Sequence, residues 1–190
     1  MSQEHSAEAL RAVATPTLVR AGVTLVFAAT TIFITAPSQA LGTWLLAVWF
    51  AGLGFSMVWT QRRADDHPSL SLGGLEASQR SMGFFAVLVA VLIVVLGGGS
   101  LTSLTLVVSV GLMLVGLPEL WIGSTRRGRH PLARDWILTG LTTVAAAIGV
   151  LLVSSLDMHA VLGVTGGAAI ICGVFLLLAG LSMRHEAAQA

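Results

Sequence analysis

The chain has 190 residues, of which 55% are hydrophobic and only 10% are charged, and its mean hydropathy is +0.89. Soluble domains carry about 25% charged residues, so this composition excludes an ordinary soluble domain and predicts an all-α integral membrane protein. Ten basic and nine acidic residues leave a net charge of +1, which excludes a nucleic-acid binder that relies on bulk positive charge.

Six apolar runs follow one another along the chain. About 20 residues of α-helix cross the roughly 30 Å hydrocarbon core, and backbone groups in lipid must be satisfied within their own segment, so each run predicts a transmembrane helix. Residues 1–16 are polar enough to form a cytoplasmic N-terminal segment, with a short surface helix over 7–13. Residues 17–185 form the membrane domain, and 186–190 are a tail. The runs are 18–35, 41–60, 82–98, 101–123, 136–154 and 160–183.

A secretory signal peptide is the alternative for the first run. Ser38, Gln39 and Ala40 place small residues where a signal peptidase would cut. However, Glu4 and Glu8 give the preceding segment acidic residues, whereas a signal peptide begins with basic ones. We therefore expect a retained transmembrane helix.

The arginines predict the orientation of the chain. Every basic residue is an arginine, and six spans would bring all of them to one side, because the three opposite connections contain none. The positive-inside rule then predicts that both termini are cytoplasmic. The arginines are Arg11, Arg20, Arg62, Arg63, Arg80, Arg126, Arg127, Arg129, Arg134 and Arg184.

Glycines recur at a common spacing in three successive pairs of helices. The two glycines of each pair are separated by 30, 33 and 33 residues. This spacing predicts three tandem helical hairpins, at about 17–63, 81–127 and 131–185. Parallel repeats of this kind share a symmetry axis along the membrane normal, so we expect a compact six-helix bundle with approximate three-fold character. The paired glycines are Gly22 with Gly52, Gly83 with Gly116, and Gly140 with Gly173.

These features resemble the HdeD family of bacterial membrane proteins over residues 17–185. The resemblance rests on the three glycine-marked hairpins, on Pro37 at the first outer turn, and on two arginine-rich inner connectors, Gln61-Arg62-Arg63 and Arg126-Arg127-Gly128-Arg129. It implies six helices in a bacterial inner membrane and an association with acid-stress resistance. It supplies no catalytic residues and no cofactor.

Glu119 is the one acid that falls inside an apolar run, and Pro118 precedes it. An ionisable group in a transmembrane segment is a functional hypothesis by default, so Glu119, Pro118 and Arg20 are candidate functional residues. Pro118 also predicts a local kink, because it cannot donate to the helical ladder. The alternative is that Glu119 lies near the interface, or pairs with Arg20, Arg126 or Arg127.

Two further groups of residues are candidate sites at the membrane surface. Asp157 and His159 share the third outer turn, where a histidine beside a carboxylate would titrate near neutral pH and sense acidification. The alternative is that both merely solvate a tight turn. In the loop after the fourth span, the basic residues are candidates for binding anionic lipid head groups, although a role in membrane orientation alone also explains them. They are Arg126, Arg127 and Arg129.

The sequence supports two functions. The first is a non-enzymatic inner-membrane protein of HdeD type, in acid or envelope stress response or as a membrane scaffold. The second is a small transporter or channel in which Glu119 lines a polar cavity. Motifs of hydrolases, metalloproteases and phosphate-binding enzymes are missing, so no catalytic, cofactor-binding or metal-binding residue is expected. Membrane lipids, a second copy of the chain or another membrane protein are the expected partners.

Overall fold

The computed structural model describes residues 6–189. These residues form six α-helices and one short 3-10 helix, Pro68–Leu70, and residues 6–189 contain no strand. The all-α fold class is confirmed. Each α-helix is long and apolar enough to cross a membrane. The helices are α1 (Ala7–Phe33), α2 (Gln39–Asp65), α3 (Glu76–Leu96), α4 (Leu101–Thr125), α5 (Ala133–Leu152) and α6 (Met158–Gln189).

Serine residues define where three of the helices begin. In each case the serine oxygen accepts the backbone N–H of the residue three positions later, which satisfies one of the four N–H groups left free at a helix start. Ser38, which forms part of the signal-peptidase-like sequence, has this structural role at the start of α2. The capping serines are Ser6 for α1, Ser38 for α2 and Ser100 for α4.

Helices α1 and α6 extend beyond the predicted spans. The segment 7–13 is the beginning of α1 itself, and its apolar side chains Leu10 and Val13 are buried. At the other end, α6 continues through the predicted tail as far as Gln189. The guanidinium of Arg11 donates to the carbonyl of Ala187 at 2.7 Å. The two ends of the described chain therefore lie side by side.

The six helices pack in a closed ring in chain order, with α6 returning to α1. The most extensive packing is between α1 and α6, between α4 and α5, and between α2 and α3. The last two of these pairs are joined by the longer connections, and the first is formed by the two ends of the chain. Helices joined by short turns also touch, but less extensively. The closest structural pairs are thus offset by one helix from the hairpins that the glycine spacing predicts.

Glycines allow the backbones of these close pairs to approach. A Cβ added to Gly140 of α5 would lie 2.6 Å from the backbone nitrogen of Leu120 and 2.8 Å from the carbonyl oxygen of Gly116 on α4. Gly54 and Gly83 approach each other in the same way between α2 and α3. Gly22 differs, since nothing lies within 4 Å of a Cβ added there. Several of the glycines that mark the predicted repeat therefore serve helix packing.

Most buried hydroxyl groups in the bundle are satisfied by their own helix. Each of these donates to the carbonyl of the residue three or four positions earlier, so it needs no partner from a neighbouring helix. The interior is consequently apolar over most of its length, and the few polar contacts between helices stand out. Examples of this internal bonding are Thr17 in α1, Thr60 in α2 and Thr165 in α6.

Candidate functional site: a buried ion pair

Glu119 lies in the interior of the bundle. Its residue surface is 1% exposed, and it belongs to the buried face of α4 together with Val115 and Ile122. A carboxylate in an apolar interior costs several kcal/mol unless it is paired and hydrogen-bonded. The side chains around Glu119 therefore determine whether it can be ionised there.

Arg20 of α1 is the charged partner of Glu119. Its Nη1 atom lies 2.6 Å from Glu119 Oε1, and Arg20 is itself only 7% exposed. The contact is an ion pair, and Glu119 Oε1 has no hydrogen-bond partner in the described part of the chain. This pairing is one of the alternatives expected from the sequence; Arg126 and Arg127 form no ion pair with Glu119 among the described residues.

Thr139 of α5 binds the second carboxylate oxygen. Its hydroxyl lies 3.1 Å from Glu119 Oε2 and also 2.9 Å from the carbonyl of Asp135, so its proton is shared between these two acceptors. Cys172 of α6, in turn, has its sulfur 3.8 Å from the carbonyl of Thr139. The centre therefore connects α1, α4, α5 and, through this weak thiol contact, α6.

Thr139 and Cys172 were not expected to belong to this site. Thr139 is one of several threonines in apolar helices, and a hydroxyl bound to its own helix looks the same in sequence as one that reaches another helix. The one available signal was physical, since a buried carboxylate requires more donors than a single arginine supplies. The position of those donors depends on how α4 and α5 pack.

Two small cavities adjoin the ion pair, each of about 20 Å³. One lies between Arg20, Glu119, Thr60 and Gln79, and the other lies on the opposite side of Arg20, towards Trp49. A cavity needs roughly 10–15 Å³ to hold one water molecule. The space beside Glu119 therefore matches a single water in each cavity and does not match a larger solute.

Pro118 lies within α4, which continues without interruption from Leu101 to Thr125. Its ring is partly buried, and its missing N–H leaves one position of the helical ladder without a donor. Pro118 makes no polar contact with the ion pair. The partners of Glu119 are Arg20 and Thr139, which lie on other helices.

Asp157 and His159 do not form a pair. Asp157 Oδ1 accepts the backbone N–H of Ala160 at 2.8 Å, so this carboxylate caps the start of α6. His159 is exposed, and within the described part of the chain no hydrogen bond or ion pair joins it to Asp157. This arrangement matches the alternative in which the two residues solvate a tight turn.

The arginines after α4 fall into two groups. Arg126 donates from Nη2 to the carbonyl of Gly73 at 2.9 Å and thereby ties the α4–α5 connection to the α2–α3 connection. Gly73 has a φ of 52°, a left-handed conformation that favours glycine. Arg127 and Arg129 are exposed. Of the three candidates for lipid head groups, these two have exposed side chains, whereas Arg126 is partly buried.

Comparison with family models, curated proteins and solved structures found no match to this chain. The fold and the site define its class: a multi-pass, all-helical membrane protein with an ion pair buried at the centre of the bundle. In this chain the ionic centre is formed by Arg20, Glu119 and Thr139.

Proposed function

We propose that this chain is a non-enzymatic inner-membrane protein of HdeD type, which acts in acid or envelope stress response or as a membrane scaffold. In this proposal the three helical hairpins cross a bacterial inner membrane with both termini in the cytoplasm. The distribution of arginines supports that orientation. The contact between Arg11 and Ala187 supports a common side for the two ends.

The observation that carries the proposal is the arrangement around Glu119. A transporter needs its intramembrane acid to face a pathway that ions or solutes can enter. Here the carboxylate is occupied on one oxygen by Arg20 and on the other by Thr139. The adjoining cavities of about 20 Å³ have room for one water each. This geometry favours a structural centre over the transporter or channel alternative.

A structural centre of this kind suits a scaffold. The ion pair spans the interior between α1 and α4. Apart from this contact, α1 packs chiefly on α6 and α2, whereas α4 packs chiefly on α5 and α3. It therefore connects opposite parts of the ring. Much of the outer surface remains apolar, including Trp44, Phe55 and Phe84, and is available to lipid or to another membrane protein.

The test combines a deletion with a single substitution. In the native host, deletion of the protein is expected to lower survival after acid or envelope stress. Glu119→Gln keeps the shape of the side chain but removes its charge, which leaves Arg20 without a counter-ion. We expect this variant to have a lower Tm yet to restore survival fully when its membrane abundance is matched to that of the wild type.

His159→Gln is the matched control, because His159 is exposed and is expected to behave as wild type in both measurements. Unchanged survival on deletion would contradict the stress-response proposal. A Glu119→Gln protein that is abundant and folded but fails to restore survival would instead favour the transporter alternative. Ion flux measured in vesicles containing the purified protein would then identify the transported species.

A further inference from the structure

The cavity on the Trp49 side of Arg20 lies where five helices meet. Its lining comes from α1, α2, α4, α5 and α6, and its walls are mainly apolar, with Phe50 and Leu112 among them. Its volume is about 20 Å³. Polar side chains at such a place need partners, because bulk water does not reach them.

Three polar atoms of the lining residues have no hydrogen-bond partner within the described chain. They are Arg20 Nε, Thr24 Oγ1 and Trp49 Nε1. Their residues are 7%, 1% and 5% exposed, respectively. Arg20 and Thr24 are four residues apart on α1, so they share one face of that helix, and Trp49 approaches from α2. Three residues that line one cavity, each with an unsatisfied polar atom, indicate a common partner.

We infer that this cavity is a binding site for one water molecule. The water accepts the N–H groups of Arg20 Nε and Trp49 Nε1 and donates one of its own protons to Thr24 Oγ1. This assignment gives each of the three atoms a hydrogen-bond partner. It also meets the two requirements for a buried water, namely a volume above roughly 10–15 Å³ and two to four polar partners.

A halide ion would satisfy the same two N–H donors, but the local charge favours neutral water. The charge of Arg20 is already neutralised by Glu119 at 2.6 Å. An added anion would therefore leave a net negative charge in the interior, where unpaired charge is strongly disfavoured. A water molecule completes the hydrogen bonds and leaves the site neutral.

This water would connect α2 to the ionic centre. The Trp49 ring stacks on Phe27 of α1, with centroids 4.3 Å apart and an angle of 1° between the planes, so its position is fixed. The bound water then links the fixed indole to Arg20, and Arg20 links it to Glu119 and Thr139. The ion pair becomes a hydrated junction of α1, α2, α4 and α5. This role does not depend on the function proposed above.

Thr24→Val tests the site because valine has nearly the shape of threonine without its hydroxyl. If the water is bound, this change removes one of its partners, and we expect Tm to fall by about 2–4 °C. If the cavity is dry, the change removes an unsatisfied hydroxyl, and stability should stay the same or rise. Thr165→Val is the matched control, since the Thr165 hydroxyl is fully buried and bonded to its own helix.

The fall in Tm must be larger for Thr24→Val than for Thr165→Val; an equal or smaller fall would contradict the inference. A high-resolution structure of the wild type should show one density peak within hydrogen-bond distance of Arg20 Nε, Trp49 Nε1 and Thr24 Oγ1. Crystals grown in bromide distinguish the occupants, because an anomalous signal at this peak would overturn the assignment to water. An empty cavity would overturn it as well.

Discussion

Arg20 and Arg126 show two different ways in which this protein holds an arginine. Arg20 is buried in the bundle and faces a carboxylate, whereas Arg126 lies in a connection between helices and donates to a backbone carbonyl. Charge neutralisation is essential in the first environment, because no solvent screens the guanidinium there. At the partly exposed Arg126, water and ions stabilise the charge, so its contact with Gly73 contributes mainly by ordering the loops.

The largest expected effect comes from removing one member of the buried pair. Arg20→Met should leave Glu119 without its counter-ion and lower the free energy of unfolding by about 3–5 kcal/mol. The double variant Arg20→Met with Glu119→Leu removes both charges and should recover most of that loss. Denaturation in detergent measures the free energy of unfolding of the wild type, the single variant and the double variant. A double variant as unstable as the single one would show that packing around Arg20, rather than charge, dominates.

The packing that surrounds the pair should have a smaller effect. Gly140 is adjacent to Thr139, and an added Cβ would meet the backbone of Leu120, which cannot move as a side chain does. Gly140→Ala is therefore expected to separate α4 from α5 and to reduce stability by about 1–3 kcal/mol.

Gly22→Ala is the control for this change. It lies in the interior of a helix with nothing within 4 Å of the added Cβ, so higher helix propensity should leave stability unchanged or raise it by up to about 1 kcal/mol. Equal effects of the two substitutions on Tm would contradict the close approach of α4 and α5.

The smallest expected loss of stability comes from changing Arg126, in the connection between α4 and α5. Arg126→Gln should lose the hydrogen bond to Gly73 and lower stability by about 0.5–1.5 kcal/mol, as for a typical hydrogen bond. Arg127→Gln removes the same charge from an exposed side chain and should leave Tm unchanged. A difference of the opposite sign between the two variants would show that the loop contact does not order the connections.

The sequence was sufficient for the number of helices but not for how they pair. Apolar runs of about 20 residues identify spans directly, since the membrane thickness fixes their length. The start of α1 and the end of α6 were not predicted. Leu10 and Val13 at the start of α1 are buried, and α1 packs most extensively on α6, which is almost the whole chain away in sequence. The glycine spacing indicated that helices pack closely at these positions. It did not show that Gly140 faces Gly116 rather than Gly173.

The candidate site was predicted in part. Glu119 is recognisable from sequence because an acid in an apolar run is rare, and Arg20 was among its expected partners. Thr139, Trp49 and Thr24 could not be selected, since their roles depend on the three-dimensional position of hydroxyl and indole groups. Such groups occur at many places in apolar helices, and only packing shows which of them meet.

Closure of the ring by α1 and α6 has a consequence for assembly in the membrane. Of the six helices, α1 is synthesised before the others, and its most extensive partner, α6, is synthesised after them. Until α4 follows, the guanidinium of Arg20 has no carboxylate beside it and must remain near water or lipid head groups. During synthesis the charge of Arg20 is therefore unpaired, and the face of α1 that packs on α6 is uncovered. Their joint burial makes completion of the bundle a late, cooperative step.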